Sequence, residues 1–300
     1  MKYIPRIAVV AAIVLSTFPA SAMDVLTARG PVAVDNVPKT VAVFDVAAID
    51  TLTRLGIPLA GLPDKLYVPE LEPVKAGAAP VGTLFEPDLE ALSALAPDLI
   101  IVGSRSASKA DVTAKVAPTI DMTIDGDDLF EQAKQRLAAY GDLFGKQVEA
   151  KAVADELDAR LAAAKAAVAG KGKALIVMSN GPKVSTYGPG SRFGWVHAAL
   201  DLPAAVNEIE TATHGEAVSF EFIRQANPDW LLVLDRAAAV GSNEQAARVT
   251  LDNELVAETT AWKKGQVVHL PAPDFYIAAG GVQSLERVLA TITQAFAAAK

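Results

Sequence analysis

Three arginines, one histidine and one tyrosine are the side chains of this sequence whose types and places could concentrate chemistry. Arg105 and Arg236 each come just after an apolar run, 99–102 and 230–234. Arg192 lies in Tyr187-Gly188-Pro189-Gly190-Ser191-Arg192-Phe193-Gly194, a glycine-rich loop that opens a helix. Guanidinium groups bind anions through charge and paired N–H donors, and the amides at a helix start favour the same ligands. Facing one another across a cleft, the three make a positive pocket; taken singly, each is a solvated surface charge. His214 lies in Thr211-Ala212-Thr213-His214-Gly215-Glu216, which has neither helical nor strand periodicity. Its ring is free to turn into a cleft, as ligand or proton donor, or out to solvent. Tyr276 sits on a strand-to-helix loop, between Pro271-Ala272-Pro273 and Gly280-Gly281. The prolines stiffen the approach and the glycines admit something bulky close to the backbone. As a phenolate Tyr276 could bind a hard cation such as Fe3+; as a neutral ring it caps a core. His197 and His269 fall inside a helical and a strand-like run and read as structural.

Strand-like runs at 40–44, 99–102, 174–178, 230–234 and 266–270 alternate with helical ones at 47–55, 86–95, 193–200, 220–225 and 283–299. That alternation predicts an α/β fold with mostly parallel sheets, in which ligands collect at the carboxyl ends of strands. Glu90, Pro97, Asp98 and Arg105 recur as Glu221, Pro228, Asp229 and Arg236 at a single offset of 131 positions. Any helix, Pro-Asp turn and apolar strand looks similar, but four identities at one offset point to two homologous lobes. Between them, 145–168 is rich in Ala, Glu, Lys, Leu and Arg without internal Gly or Pro. It predicts one helix of about 36 Å, a strut between lobes that move little relative to each other. The expected division is 1–22 leader, 23–144 N-terminal lobe, 145–169 interlobe helix and 170–300 C-terminal lobe.

The leader follows from Lys2 and Arg6, the apolar run 7–18 and Ala20-Ser21-Ala22, a small-x-small cleavage pattern. About 12 apolar residues are too short for a ~30 Å hydrocarbon core, so the segment reads as a cleaved secretory signal rather than an anchor. Without it the chain keeps 25 basic against 35 acidic residues, a balance that argues against nucleic acid or an anionic membrane as partner. The sequence has no cysteine, which excludes disulfides, thiolate metal cages and a lipoprotein anchor and leaves the expected location free in the periplasm. With three histidines in all, a zinc or manganese site of several imidazoles is poorly supported. No Gly-x-Ser-x-Gly, His-Glu-x-x-His, P-loop or dinucleotide-binding motif occurs, which favours a binding protein over an enzyme.

With its leader, helix-linked lobes, paired Glu-Pro-Asp units and Tyr-Gly-Pro-Gly-Ser-Arg-Phe-Gly loop, the mature chain resembles the periplasmic substrate-binding proteins of iron–siderophore ABC importers. It is most similar to the subgroup for ferric catecholates. The resemblance implies two Rossmann-like lobes with mostly parallel sheets, one long α-helix joining them and a ligand cleft between. It implies that His214 and Tyr276 complete the coordination of Fe3+, that Arg105, Arg192 and Arg236 face the siderophore, and that Glu90 and Glu221 dock onto an inner-membrane permease that works with its ATPase. The protein would act as a monomer with no permanently bound cofactor, the ferric siderophore being its ligand. The chemistry agrees. Fe3+ is hard and six-coordinate; a tetradentate bis-catecholate supplies four oxygens, and one imidazole and one phenolate would fill the remaining positions. Haem is the competing ligand, since Tyr and His also serve as its axial ligands. An exported enzyme acting on ferric siderophores, with His214 as base and Tyr276 as acid, is the alternative of another class.

Overall fold

The computed structural model describes residues 23–299 apart from 125, 127 and 210–214. The leader expected at 1–22 and His214 lie outside the described residues. The chain opens with a hairpin, β1 (Met23–Thr27) and β2 (Gly30–Val34). The N-terminal lobe follows with β3 (Val41–Val43), β4 (Gly61–Leu62), β5 (Ala79–Pro80), β6 (Leu99–Val102) and β7 (Thr119–Asp121). These pair in the order β5-β4-β3-β6-β7, every pairing parallel. The C-terminal lobe contains β8 (Ala174–Asn180), β9 (Lys183–Tyr187), β10 (Glu216–Val218), β11 (Trp230–Asp235) and β12 (Val267–His269), ordered β10-β9-β8-β11-β12. Here β8, β11 and β12 are parallel, but β9 and β10 are antiparallel. β6 is Leu-Ile-Ile-Val with all four residues buried, the unbroken apolar run required of a strand covered on both faces.

The repeat seen in the sequence is a helix–turn–strand unit built twice by the same local chemistry. Asp88 caps the helix Leu89–Leu95 and Ser219 caps Phe220–Ala226, each accepting backbone amides of the first turn. Both helices end on a left-handed residue, Ala96 at φ 49° and Asn227 at φ 38°, and the proline that follows stops further helix. The next aspartate then secures the neighbouring strand. Asp98 Oδ2 accepts the amides of Lys39 and Thr40 at 2.9 Å each, and Asp229 Oδ2 accepts that of Lys173 at 2.9 Å. The Asp88 cap also explains why the first helix starts at Leu89 rather than at 86.

The joining helix is Gln147–Val168, with Ala150, Val153, Leu157, Ala164 and Val168 buried along one stripe. It begins two residues later than the sequence predicts because Gly145, at φ +65°, turns the chain out of the helix Leu129–Leu143. Its 22 residues give about 33 Å. It packs against Leu129–Leu143 and the C-terminal helix Val282–Ala298 in a core that draws on both lobes. The C-terminal helix is fastened to the other lobe at its first turn. Asp50, fully buried in the helix Val46–Arg54, accepts the amides of Gln283 at 2.7 Å and Ser284 at 3.1 Å, the Ser284 hydroxyl at 2.9 Å and Arg287 at 3.4 Å. Arg287 also donates to Asp274 at 2.7 Å. No helix among the described residues is long and apolar enough to cross a membrane.

Candidate functional site

Tyr276 ends a short helix, Ala272–Tyr276, entered through Pro271, where the sequence suggests a loop. Its half-buried ring lies near guanidinium groups from both lobes: Arg105 Cζ is 5.1 Å and Arg192 Cζ 4.9 Å from the centroid. Both also donate to the Tyr276 carbonyl oxygen at 3.0 Å, and Arg105 reaches the Ile277 oxygen at 3.3 Å. The third arginine, Arg236, hydrogen-bonds the phenol. Burial raises the pKa of this phenol, but the Arg236 hydrogen bond and the charges of Arg192 and Arg105 outweigh burial and hold it below its ordinary value. Burial and the charge of Arg192 in turn lower that of Arg105. Three cations gathered in one place repel one another, and an anion between them relieves that cost.

Arg192, Arg236 and Tyr276 line a cavity of about 630 Å³ with Asn180, Lys183 and Tyr187. A second cavity of about 310 Å³ lies between the lobes, with Asp45, Ser104 and Thr123 on one side and Arg192, Ile277 and Ala279 on the other. Arg192 is common to both. Arg105 lines neither, because its fork is committed to the two carbonyls; it contributes charge beside the ring instead. Arg236 opens the helix Arg236–Val240 and is held by Asn180 Oδ1 at 3.0 Å.

The glycine-rich loop is closed on itself. The Ser191 amide and hydroxyl donate to the Gly188 oxygen at 3.2 and 2.6 Å, and the Gly194 amide to the Ser191 oxygen at 2.9 Å. A Cβ on Gly194 would run into the Gly188 carbonyl, so the turn requires glycine there. Two of the loop's amides are thereby engaged within the turn, and the loop presents the guanidinium of Arg192 to both cavities. Phe193 goes inward, 4.6 Å from the Tyr187 ring, 5.0 Å from Phe275 and 6.2 Å from Tyr276. This aromatic floor fixes the height of Tyr276.

His197 is buried, its Nδ1 2.9 Å from the Leu202 carbonyl, with its pKa lowered mainly by burial; His269 lies in β12. Glu90 and Glu221 are the second residues of matched helices whose short turns send β6 and β11 back. Each glutamate, at the start of a helix that runs opposite to the strand after it, is therefore on the side of the sheet where the strand's carboxyl end leads into Arg105 or Arg236. Glu90 is exposed and makes no side-chain bond among the described residues, while Glu221 accepts Arg224 at 2.5 Å and Gln225 at 2.9 Å. No group of three or more acidic or histidine side chains among the described residues could hold a metal by itself.

Sequence reasoning passed over Asp45, Asn180 and Lys183, all cavity-lining, and the Asp274–Arg287 pair that anchors the Tyr276 helix. A signal existed for two of them. Asp45 and Asn180 stand at the carboxyl ends of β3 and β8, as Arg105 and Arg236 do for β6 and β11, so the strand-end rule, applied to every strand, finds them.

Residues 41–273 match the family described as periplasmic binding protein. The chain belongs to the periplasmic binding protein family. As a member, it is similar to the petrobactin-binding protein YclQ of Bacillus subtilis, 34% identical over 84% of this chain and 80% of that one. It is also similar to the ferric-anguibactin-binding protein FatB of Vibrio anguillarum, 34% identical over 89% and 85% of the two chains. The crystal structure of YclQ matches with a TM-score of 0.87 at 31% identity, covering 92% of this periplasmic binding protein and 99% of YclQ. That of VctP, the periplasmic catecholate-siderophore binding protein of Vibrio cholerae, matches with a TM-score of 0.85 at 31% identity, covering 91% and 100%.

Proposed function

We propose that this periplasmic binding protein, exported by its leader, captures a ferric catecholate siderophore in the cleft between lobes 23–144 and 170–300, braced by 145–169. It then hands the complex to an inner-membrane ABC permease and its ATPase. The observation that carries this reading is Tyr276, a phenol of lowered pKa beside three arginines drawn from both lobes. A hard Fe3+ ion favours an anionic oxygen donor, and cations that ease loss of the phenolic proton also pair with catecholate oxygens. The names of YclQ, FatB and VctP, each a siderophore-binding protein, support the same ligand class. A tetradentate ligand leaves two iron positions, which Tyr276 and His214 would fill. Arg192 and Arg236 then meet the ligand oxygens, and Arg105 stabilises the phenolate.

The test is a titration of wild type and the His214→Ala, Tyr276→Phe double variant with a ferric bis-catecholate, following the charge-transfer band. Direct coordination predicts a shifted band and loss of affinity in the variant; an unchanged band and affinity overturn it. Haem, run in parallel, should give no Soret response. For Glu90 and Glu221 as permease contacts, charge reversal of both should abolish uptake and leave ligand affinity intact. Lost affinity with normal uptake contradicts that assignment.

A further inference from the structure

The smaller of the two cavities has a polarity of its own. The larger is bordered by Arg192, Arg236 and Lys183, whereas the smaller is bordered on the N-terminal side by Asp45, Ser104 and Thr123. Asp45 is 6% exposed and caps the helix Val46–Arg54, its Oδ2 accepting the Ala48 amide at 3.2 Å. A carboxylate can accept about four hydrogen bonds, so this cap leaves acceptor capacity facing the cavity. Among the described residues no ion pair neutralises it: the nearby guanidinium of Arg105 is turned to the carbonyls of Tyr276 and Ile277. A serine or asparagine would cap the helix as well without placing a charge in the wall of a site for an anionic chelate. Burial pushes this carboxyl up to about 6, against the Ala48 amide and the charge of Arg105, which lower it. Because Arg192 lines both cavities, a ligand held at Tyr276 can extend past it into the smaller one.

We propose that the smaller cavity is a second subsite of the ligand cleft, which receives a protonated amine carried on the siderophore backbone, and that Asp45 selects for it. This rests on the siderophore reading above and adds to it a ligand class, an amine-bearing ferric catecholate. Arg192 holds the catecholate end and Asp45 accepts the ammonium N–H, so that the two ends of the ligand fix its orientation in the cleft.

The experiment uses two ferric bis-catecholates of equal length, one with a secondary ammonium in its spacer and one with a methylene in that place. Dissociation constants are measured for wild type and Asp45→Asn, a substitution that keeps the cap and the volume. Wild type is expected to favour the ammonium probe by about tenfold, as for a charge-assisted hydrogen bond. Asp45→Asn should lose that preference and bind the methylene probe at least as well as wild type does. Equal affinities of wild type for the two probes overturn the proposal, whatever the behaviour of the variant. So does a preference that persists in a folded Asp45→Asn protein. If wild type binds neither probe, the siderophore reading itself falls, an outcome distinct from binding without preference.

Discussion

The two lobes share one plan in their inner strands and differ in the outer ones. In the five-stranded sheet of the N-terminal lobe every pairing is parallel, and strand follows strand by a crossover. In the C-terminal lobe the β4 and β5 places are taken by β9, antiparallel to β8, and by β10, antiparallel to β9. Parallel neighbours need long crossovers, whereas a hairpin returns at once, and the chain so released makes the Arg192 loop and the strand β10 beside the larger cavity. The N-terminal lobe keeps its strand-end residues Asp45 and Arg105 for the interlobe side. The residues gathered between the lobes are therefore unequal: the C-terminal lobe supplies the phenol and two arginines, and the N-terminal lobe supplies one arginine beside them and one carboxylate. The two sheets are alike where the matched helix–turn–strand units feed their inner strands and differ at one edge, β4–β5 against β9–β10.

The sharpest way to break this comparison is at the seam. Arg287→Ala leaves the buried carboxylates of Asp50 and Asp274 without their cation, which should cost about 3–5 kcal/mol. At ~2–4 °C per kcal/mol for a chain of this size, calorimetry should show the unfolding midpoint fall by about 6–20 °C. A negligible change would mean that the lobes are not joined there. Next, Tyr276→Phe should weaken ferric bis-catecholate binding about 100-fold, ~2.7 kcal/mol, with little change in the midpoint because the ring stays. Arg105→Ala should weaken it less than Arg236→Ala, whose guanidinium faces the ligand cavity; the reverse order would put the dominant lobe on the other side.

The pH dependence of the N-terminal lobe follows from Asp45, whose folded value of about 6 lies above the ordinary 3.8. Between those values the folded chain holds more protons at this site than the unfolded one. Its contribution is therefore most favourable below about pH 4 and is lost as pH rises through about 6, on the order of 3 kcal/mol at ~1.36 kcal/mol per unit. Asp50, raised by burial to about 7, has the same sign. Denaturant titrations at pH 4 and 7 should find Asp45→Asn gaining stability relative to wild type at the higher pH; a gain at the lower pH would reverse the assignment. The smallest effect compares the two strand latches. Asp98→Ala loses two hydrogen bonds to backbone amides and Asp229→Ala loses one, so losses of about 2 and about 1 kcal/mol are expected by denaturant unfolding. Equal losses would erase the distinction.

Much of the scaffold was legible from local pattern. Leu99–Val102 announces a covered strand by being apolar throughout, 145–168 announces a helix by composition, and the Pro-Asp pairs announce the repeat. The hairpin was not legible. Lys183–Tyr187 is only five residues long and places two polar residues, Ser185 and Thr186, side by side, and Glu216–Val218 is three residues long, so neither carries enough periodicity to register. The short helix at Tyr276 was hidden by its prolines, which resemble a loop until the chain that packs on it is known. Of the candidate residues, Arg105, Arg192, Arg236 and Tyr276 come together, whereas the engagement of Arg105 with backbone carbonyls had no sign in its surroundings along the chain.

Caps, left-handed helix ends and apolar runs are properties of neighbouring residues, and for that reason the sequence was sufficient to set the inner strands, the longer helices and their alternation. The electrostatics of Tyr276 are of another kind. The ring meets Arg105 from 171 positions away and Arg192 from 84, and the Asp50–Ser284 fastening spans 234. Charges act through space and through the medium between them, not along the chain, so a phenol of lowered pKa and a carboxylate facing a cavity came into being only when residues far apart in sequence were packed together.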